Sequence, residues 1–318
     1  MTGGERPYQT PAALRTALEE RLRRRAQETG VALDRLRKEV AHQRLLARLA
    51  TVAPPGSWAL KGGQALLARL DAAARATKDS DATWRASLEM FDDVLEQAVD
   101  TDLQDGFTFE VSAPRDLTTE SDEGGLRFPV RALLDGREFE RLQLDVNALP
   151  GDDRRLEHLR LRDLLGFAGI DPPTVPVIPV SQHLAEKLHA FCRDYGSAPN
   201  TRPRDLYDML VIARSLPLPR AGVLHASCRA TFSLRRTAWP PQLPEPPAEW
   251  TTAWSAYFDD YDLPWTSIDQ AADALAHFWQ PLLVDEPPAN ATWDPERWRW
   301  SSEWPATRRS TPAMPAPC

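Results

Sequence analysis

Cysteine is scarce in this 318-residue chain: Cys192, Cys228 and Cys318 are the whole set. Odd in number, widely spaced and without a CxxC pair, they exclude a disulfide framework and a cysteine-built zinc site. The six histidines, His42, His158, His183, His189, His225 and His277, show no HExxH spacing, which argues against a histidine zinc site as well. No GxSxG elbow is present, and Cys192 reads as a small core residue on an apolar helix stripe. No apolar run approaches the roughly 20 residues a membrane span needs, and the opening MTGGERPYQT has no secretory apolar stretch. No internal repeat is visible. A reduced, cytoplasmic protein without membrane contact is expected.

What is present is ordinary globular material, 42% hydrophobic and 26% charged, with a net charge of −8. The charge is unevenly placed. Residues 6–50 carry a basic excess that includes RLRRRAQE, while the rest of the chain is acidic. A polyanionic partner and a solvated helix face both fit that pattern.

Leu14, Leu18 and Leu22, then Leu45, Leu46 and Leu49, predict amphipathic helices over 11–52. Pro54, Pro55 and Gly56 break them before a short strand at Trp58-Ala59-Leu60. Gly62-Gly63 turns the chain into a helix from Gln64 to about Leu70. A strand over 77–84 and a helix over 85–100 follow. FTFEVSAP and LRFPVRALL alternate as strands, and the Asp135-Gly136 pair predicts a hairpin. Its returning strand carries Leu142, Leu144 and Val146 on one face and Gln143, Asp145 and Asn147 on the other. Prolines 172, 173, 176 and 179 mark a boundary, after which helices are expected at 181–195, 203–215, 249–258 and 267–284. The expected architecture is α+β, with a mixed sheet flanked by helices and then a helical domain. The expected divisions are 1–52, 53–170, 171–285 and a Pro/Trp-rich tail over 286–318, poorly ordered or draped on the surface. In that tail RWRW either stacks on bases or folds back onto the body or a partner.

The chemistry starts at Asp79 and Asp81. On a strand, residues i and i+2 share a face, and two carboxylates that close require a cation between them or a proton. Mg²⁺ or Mn²⁺ with triphosphate oxygens suits such hard ligands. Asp145, on the polar face of its strand, supplies the third carboxylate of a two-metal site. Gly62 and Gly63 allow close backbone approach, and the helix they open offers N–H groups to phosphate. Further on, Lys187 precedes a helix start with Arg204, Asp205 and Asp208. Either the lysine bridges two packed helices through these acids, or it meets phosphate as a point charge while an acid orients it. His183 and His189, flanking Lys187, read as helix-surface residues.

Taken in order, LKGGQALLARL…RATKDSD, LQLDVN, AEKLHAF and RPRDLYDML resemble the AbiEii/AbiGii toxin family of nucleotidyltransferases, which includes the MenT toxins. The likeness covers roughly residues 40–215. It implies a polymerase-β-like domain with Asp79 and Asp81 as metal ligands, Lys187 at the triphosphate and Asp205 as the acid of the last motif. Gly62, Gly63 and Gln64 would face the nucleotide, together with Asp208. Gln64 stands where the family usually has Ser or Thr, so an amide would replace a hydroxyl. Ser80, between the two acids, should face the core. A loop near Asp71–Arg75 should be extended, with Arg75 and Lys78 near phosphate or as ordinary loop cations. The implied activity is transfer of NMP from a nucleoside triphosphate to RNA, at the tRNA 3′ end for MenT-like members, blocking translation and opposed by a cognate antitoxin. A protein or small-molecule acceptor, or a non-catalytic NTP-binding or antitoxin-binding protein, are the alternatives.

Overall fold

A computed structural model of the chain describes residues 7–70, 80–117, 124–149, 151–194, 196, 200, 202–260, 263–284 and 288–301, with backbone alone at 258–260. They divide into two units, Met1–Pro179 and Val180–Cys318.

The first unit opens with helices α1 (Pro11–Thr29) and α2 (Leu33–Val52). Thr10 caps α1 by accepting from the Ala13 N–H at 3.2 Å, Pro11 fits its first turn, and Gly30 ends it at φ +71°. Leu14, Leu18 and Leu22 of α1 and Leu36, Val40, Leu45 and Leu49 of α2 are buried, as the periodicity predicts. The strands are β1 (Trp58–Lys61), β2 (Ser80–Trp84), β3 (Phe107–Val111), β4 (Arg115–Asp116), β5 (Gly125–Leu134), β6 (Arg137–Ala148), β7 (Glu157–Arg160) and β8 (Thr174–Val177). Helix α3 (Gly62–Leu70) joins β1 to the segment before β2, and α4 (Leu88–Asp100) follows β2.

The strands form one mixed sheet in the order β3-β5-β6-β2-β1-β8-β7, with β4 beside β5. β2 runs parallel to β6 and β1 parallel to β8, while the other pairs are antiparallel. The predicted Asp135-Gly136 turn is there, both residues at positive φ (59° and 65°), as the tight turn between β5 and β6 requires. Alternation then sorts the faces. Ala82, Trp84, Phe128, Val130, Leu142, Leu144 and Val146 are buried in one core with α2 and α4 residues such as Leu45, Phe91 and Leu95. Trp84 meets Phe91 edge-on at 5.3 Å, and Phe91 lies 5.4 Å from Phe128. The opposite face carries the polar partners of those strands.

Much of the N-terminal basic excess is spent inside this unit. Arg44 Nε and Arg48 hold the buried Asp105 carboxylate at 2.7–3.0 Å. Burial pushes the Asp105 carboxyl up, but the two guanidinium groups outweigh it and its pKa is lowered. Arg37 and Arg23 pair with Glu19, Arg15 donates to the carbonyls of Leu134, Arg137 and Glu138, and Arg21 lies over the Phe167 ring at 4.2 Å. These arginines are structural ties.

The second unit contains helices α5 (Val180–Cys192), α6 (Pro203–Ser215), α7 (Ala221–Leu234), α8 (Trp250–Asp260) and α9 (Ile268–Leu283). α7, with buried Leu224, Cys228 and Phe232, was not expected. Nor was the hairpin of β9 (Thr292–Asp294) and β10 (Arg299–Ser301), which gives the described part of the tail an ordered place on the helices. Trp293, Trp298 and Trp300 donate their indole N–H groups to the carbonyls of Ala213, Ala274 and Phe278 at 2.7, 2.8 and 2.9 Å. The RWRW segment therefore folds back onto the helices; residues 302–318 lie outside the described residues. No helix among the described residues is long and apolar enough to cross a membrane.

Candidate active site

Four strands bring four charged residues to one level of the sheet. Asp81 of β2 is the register partner of Asp145 on β6, and also of Lys61 on β1. Asp145 is in turn the partner of Arg127 on β5. Direct partners project on the same face, so the row Lys61, Asp81, Asp145, Arg127 is two carboxylates flanked by two cations, on strands spaced about 4.8 Å apart. Leu144 and Val146, the neighbours of Asp145, are fully buried on the apolar face, which fixes the aspartate to the other one.

Arg127 grips Asp145 with both arms, Nε to Oδ1 at 2.7 Å and Nη2 to Oδ2 at 2.6 Å. The Asp145 side chain is about 10% exposed and that of Arg127 37%. The glycine turn borders the same row. Gly62 sits at φ +59°, and a Cβ there would come within 2.1 Å of Asp81 Oδ2. The absence of a side chain at residue 62 therefore leaves room for the Asp81 carboxylate. Arg69, at the far end of α3, donates to Glu157 at 2.8 Å and to the Ile178 carbonyl at 2.6 Å, tying the helix to the β7–β8 edge.

The Gln64 side-chain nitrogen is turned toward His42 of α2. The side chain is 7% exposed and its Nε2 lies 2.8 Å from His42 Nδ1, so the amide faces α2. Burial pushes the His42 pKa down to about 3, with a smaller effect of Lys38, and the ring is neutral. Its Nδ1 then accepts from the Gln64 amide. Ser80 is buried on the core side, as expected. Asp79, with the loop Asp71–Arg75 and Lys78, lies outside the described residues. Among the described residues no group of three or more His, Cys, Asp or Glu side chains gathers as a metal-binding set.

The second unit holds the other predicted residues in one buried cluster. Lys187 Nζ donates to Asp205 Oδ1 at 2.8 Å and to Asp208 Oδ2 at 2.6 Å, and Arg202 Nε donates to Asp205 Oδ2 at 2.7 Å. Asp205 and Asp208 are at most 1% exposed and Lys187 7%. Burial alone would raise the Asp205 carboxyl, but the charges of Lys187 and Arg202 and their hydrogen bonds bring its pKa down to about 2. Pro203 at the first turn of α6 puts Asp205 and Asp208 one turn apart, facing α5. His183 and His189, expected on the helix surface, are buried instead, and His189 Nε2 lies 2.8 Å from Thr237 Oγ1. Burial drives the Cys192 thiol up to about 12, away from the thiolate form.

Two charged partners of the carboxylates, Lys61 and Arg127, escaped the sequence reading. Lys61 adjoins the glycine pair and was open to notice; Arg127 was hidden by a register shift between β5 and β6, where Phe139 is the extra residue. Comparison with protein families places the chain. A model of the nucleotidyl transferase AbiEii toxin, type IV toxin–antitoxin system, matches residues 44–275. The chain belongs to the AbiEii nucleotidyltransferase toxin family. The match spans both the Asp81–Asp145 row and the Lys187 cluster of this AbiEii chain. Among solved structures it is similar to MenT4, a nucleotidyltransferase toxin from Mycobacterium tuberculosis H37Rv. The TM-score is 0.55 at 20% identity, over 88% of this chain and 92% of that one, a likeness of fold. Comparison with curated proteins gives no match. This AbiEii-family protein is a nucleotidyltransferase with a mixed α+β fold, of a family of toxins paired with antitoxins.

Proposed function

We propose that the protein transfers NMP from a nucleoside triphosphate to an RNA acceptor, the tRNA 3′ end, in the cytoplasm, and so blocks translation until its antitoxin intervenes. The observation that carries this reading is the register pairing of Asp81 with Asp145 beside the Gly62 turn. Carboxylate oxygens in register on neighbouring strands are the hard donors that Mg²⁺ or Mn²⁺ takes, so Asp81 and Asp145 fit a divalent cation once the guanidinium on Asp145 gives way. Asp79, Asp81 and Asp145 would hold it, and when bound it supplies charge neutralisation at the phosphates and a more acidic acceptor hydroxyl.

In the reaction the acceptor oxygen bonds to the α-phosphorus while the α–β bridging P–O bond breaks and pyrophosphate leaves. Asp145 helps to activate the acceptor hydroxyl. Gly62 and Gly63 present backbone to phosphate; Gln64 contributes its N–H, its amide being engaged with His42. Lys187 is assigned to the triphosphate, with Asp205 and Asp208 fixing its ammonium.

Radiolabelled NTPs incubated with the protein and with total RNA, protein and metabolite fractions test the acceptor. Label in tRNA-sized RNA, lost in Asp81→Asn, is expected. Label confined to the protein fraction would overturn the RNA acceptor. Expression alone should arrest growth, and Asp81→Ala or Lys187→Ala should relieve the arrest. Unchanged toxicity in both variants would remove these residues from the site.

A further inference from the structure

Two carboxylates in register on adjacent strands repel, and a positive charge has to answer them. At Asp145 that charge is already in place. Both of its oxygens accept from Arg127, at 2.7 and 2.6 Å. An oxygen engaged by a guanidinium is a poorer ligand for a divalent ion, so ion and arginine compete for one carboxylate. Arginine does not lose its proton, so the competition cannot be relieved by deprotonation. A displaced guanidinium needs another anion, and the planar fork suits phosphate oxygens as well as carboxylate ones. Arg127 has room to exchange partners, being 37% exposed where Asp145 is 10%.

We propose that Arg127 is a positioning residue that occupies Asp145 in the nucleotide-free enzyme and releases it when ion and triphosphate arrive together. The guanidinium then transfers to the triphosphate. Arg127 thereby weakens binding of the bare ion and couples the ion to the nucleotide. This rests on the reading of Asp81 and Asp145 as ligands of the divalent ion.

The test measures free Mn²⁺ by electron paramagnetic resonance during titration of the full chain, without nucleotide. Arg127→Met keeps the aliphatic stem and removes the charge; it should bind Mn²⁺ about fivefold more tightly than the wild type, the scale of one half-exposed ion pair. Arg127→Lys, which grips one oxygen at a time, should fall between them and keeps the test alive if the methionine variant does not fold. Binding of an NTP in the presence of Ca²⁺ should weaken in Arg127→Met. Unchanged or weaker Mn²⁺ binding in both variants overturns the proposal and leaves the metal site standing. If Asp145→Asn leaves Mn²⁺ binding in the presence of NTP unaltered, or if neither the wild type nor Arg127→Met binds Mn²⁺ with or without NTP, the metal site and the proposal fall together.

Discussion

Gly62 and Asp81 are in contact that only glycine permits: a Cβ on the first would lie 2.1 Å from Oδ2 of the second. The positive φ of 59° adds a backbone reason to the steric one. Gly62→Ala should therefore displace the Asp81 carboxylate and lower nucleotidyl transfer at least tenfold, while the αL strain costs about 1–2 kcal/mol of stability. Transfer assays and thermal melts on the same preparation separate the two effects. A variant with wild-type rate would show that the Asp81 position is not critical.

Asp105 answers two buried guanidinium groups at once. Asp105→Ala removes the buried carboxylate that both share and should destabilise the first unit by about 3–5 kcal/mol. The loss is expected in the melting of the unit's near-ultraviolet circular dichroism signal, with the helical second unit as internal control.

His42 makes stability depend on pH. Its pKa is about 3 in the fold against 6.5 when free, so the unfolded chain binds the proton first on acidification. Its contribution is whole above pH 6.5 and is lost as pH falls toward 3, at up to about 1.4 kcal/mol per unit. His42→Asn keeps an acceptor for Gln64 and removes the titration, so its melting temperature should vary less between pH 6.5 and 4. The Asp205 carboxyl, at about 2 against 3.8, acts in a lower window: its stabilisation is present above 3.8 and lost as pH falls through 2.

Lys187 has two burdens that mutation can part. Lys187→Met removes the ammonium from two buried carboxylates, Asp205 and Asp208, and should lower the second unit's stability by about 3–5 kcal/mol. Adding Asp208→Asn should recover a large share of that loss. Transfer activity should stay abolished in the double variant; full recovery of activity would make the lysine purely structural.

The β5–β6 hairpin shows how far the sequence could be read. The Asp135-Gly136 pair announces the turn, and alternation places Asp145 on the polar face. Counted back from the turn at constant register, its partner would be Leu126. A shift between Ala132 and Leu133 instead brings Arg127 opposite Asp145. A bulge of this kind has no side-chain signature, so the ion pair could not be foreseen. The Gly62 turn, the four leading helices and the Lys187 cluster were legible because period and capping chemistry mark them. The Trp hairpin was not: its anchors are helix carbonyls far away in the chain, and composition alone resembled a tail. Asp105 was hidden for the same reason, its partners lying about 60 residues upstream.

The Lys187 ammonium is shared between two buried acids, Asp205 on the first turn of α6 and Asp208 one turn on. A phosphate recruiting that ammonium would draw on the same charge that staples α5 to α6. Nucleotide capture and cohesion of the helical unit would then share one side chain, which sets a ceiling on how tightly either can be tuned without loosening the other.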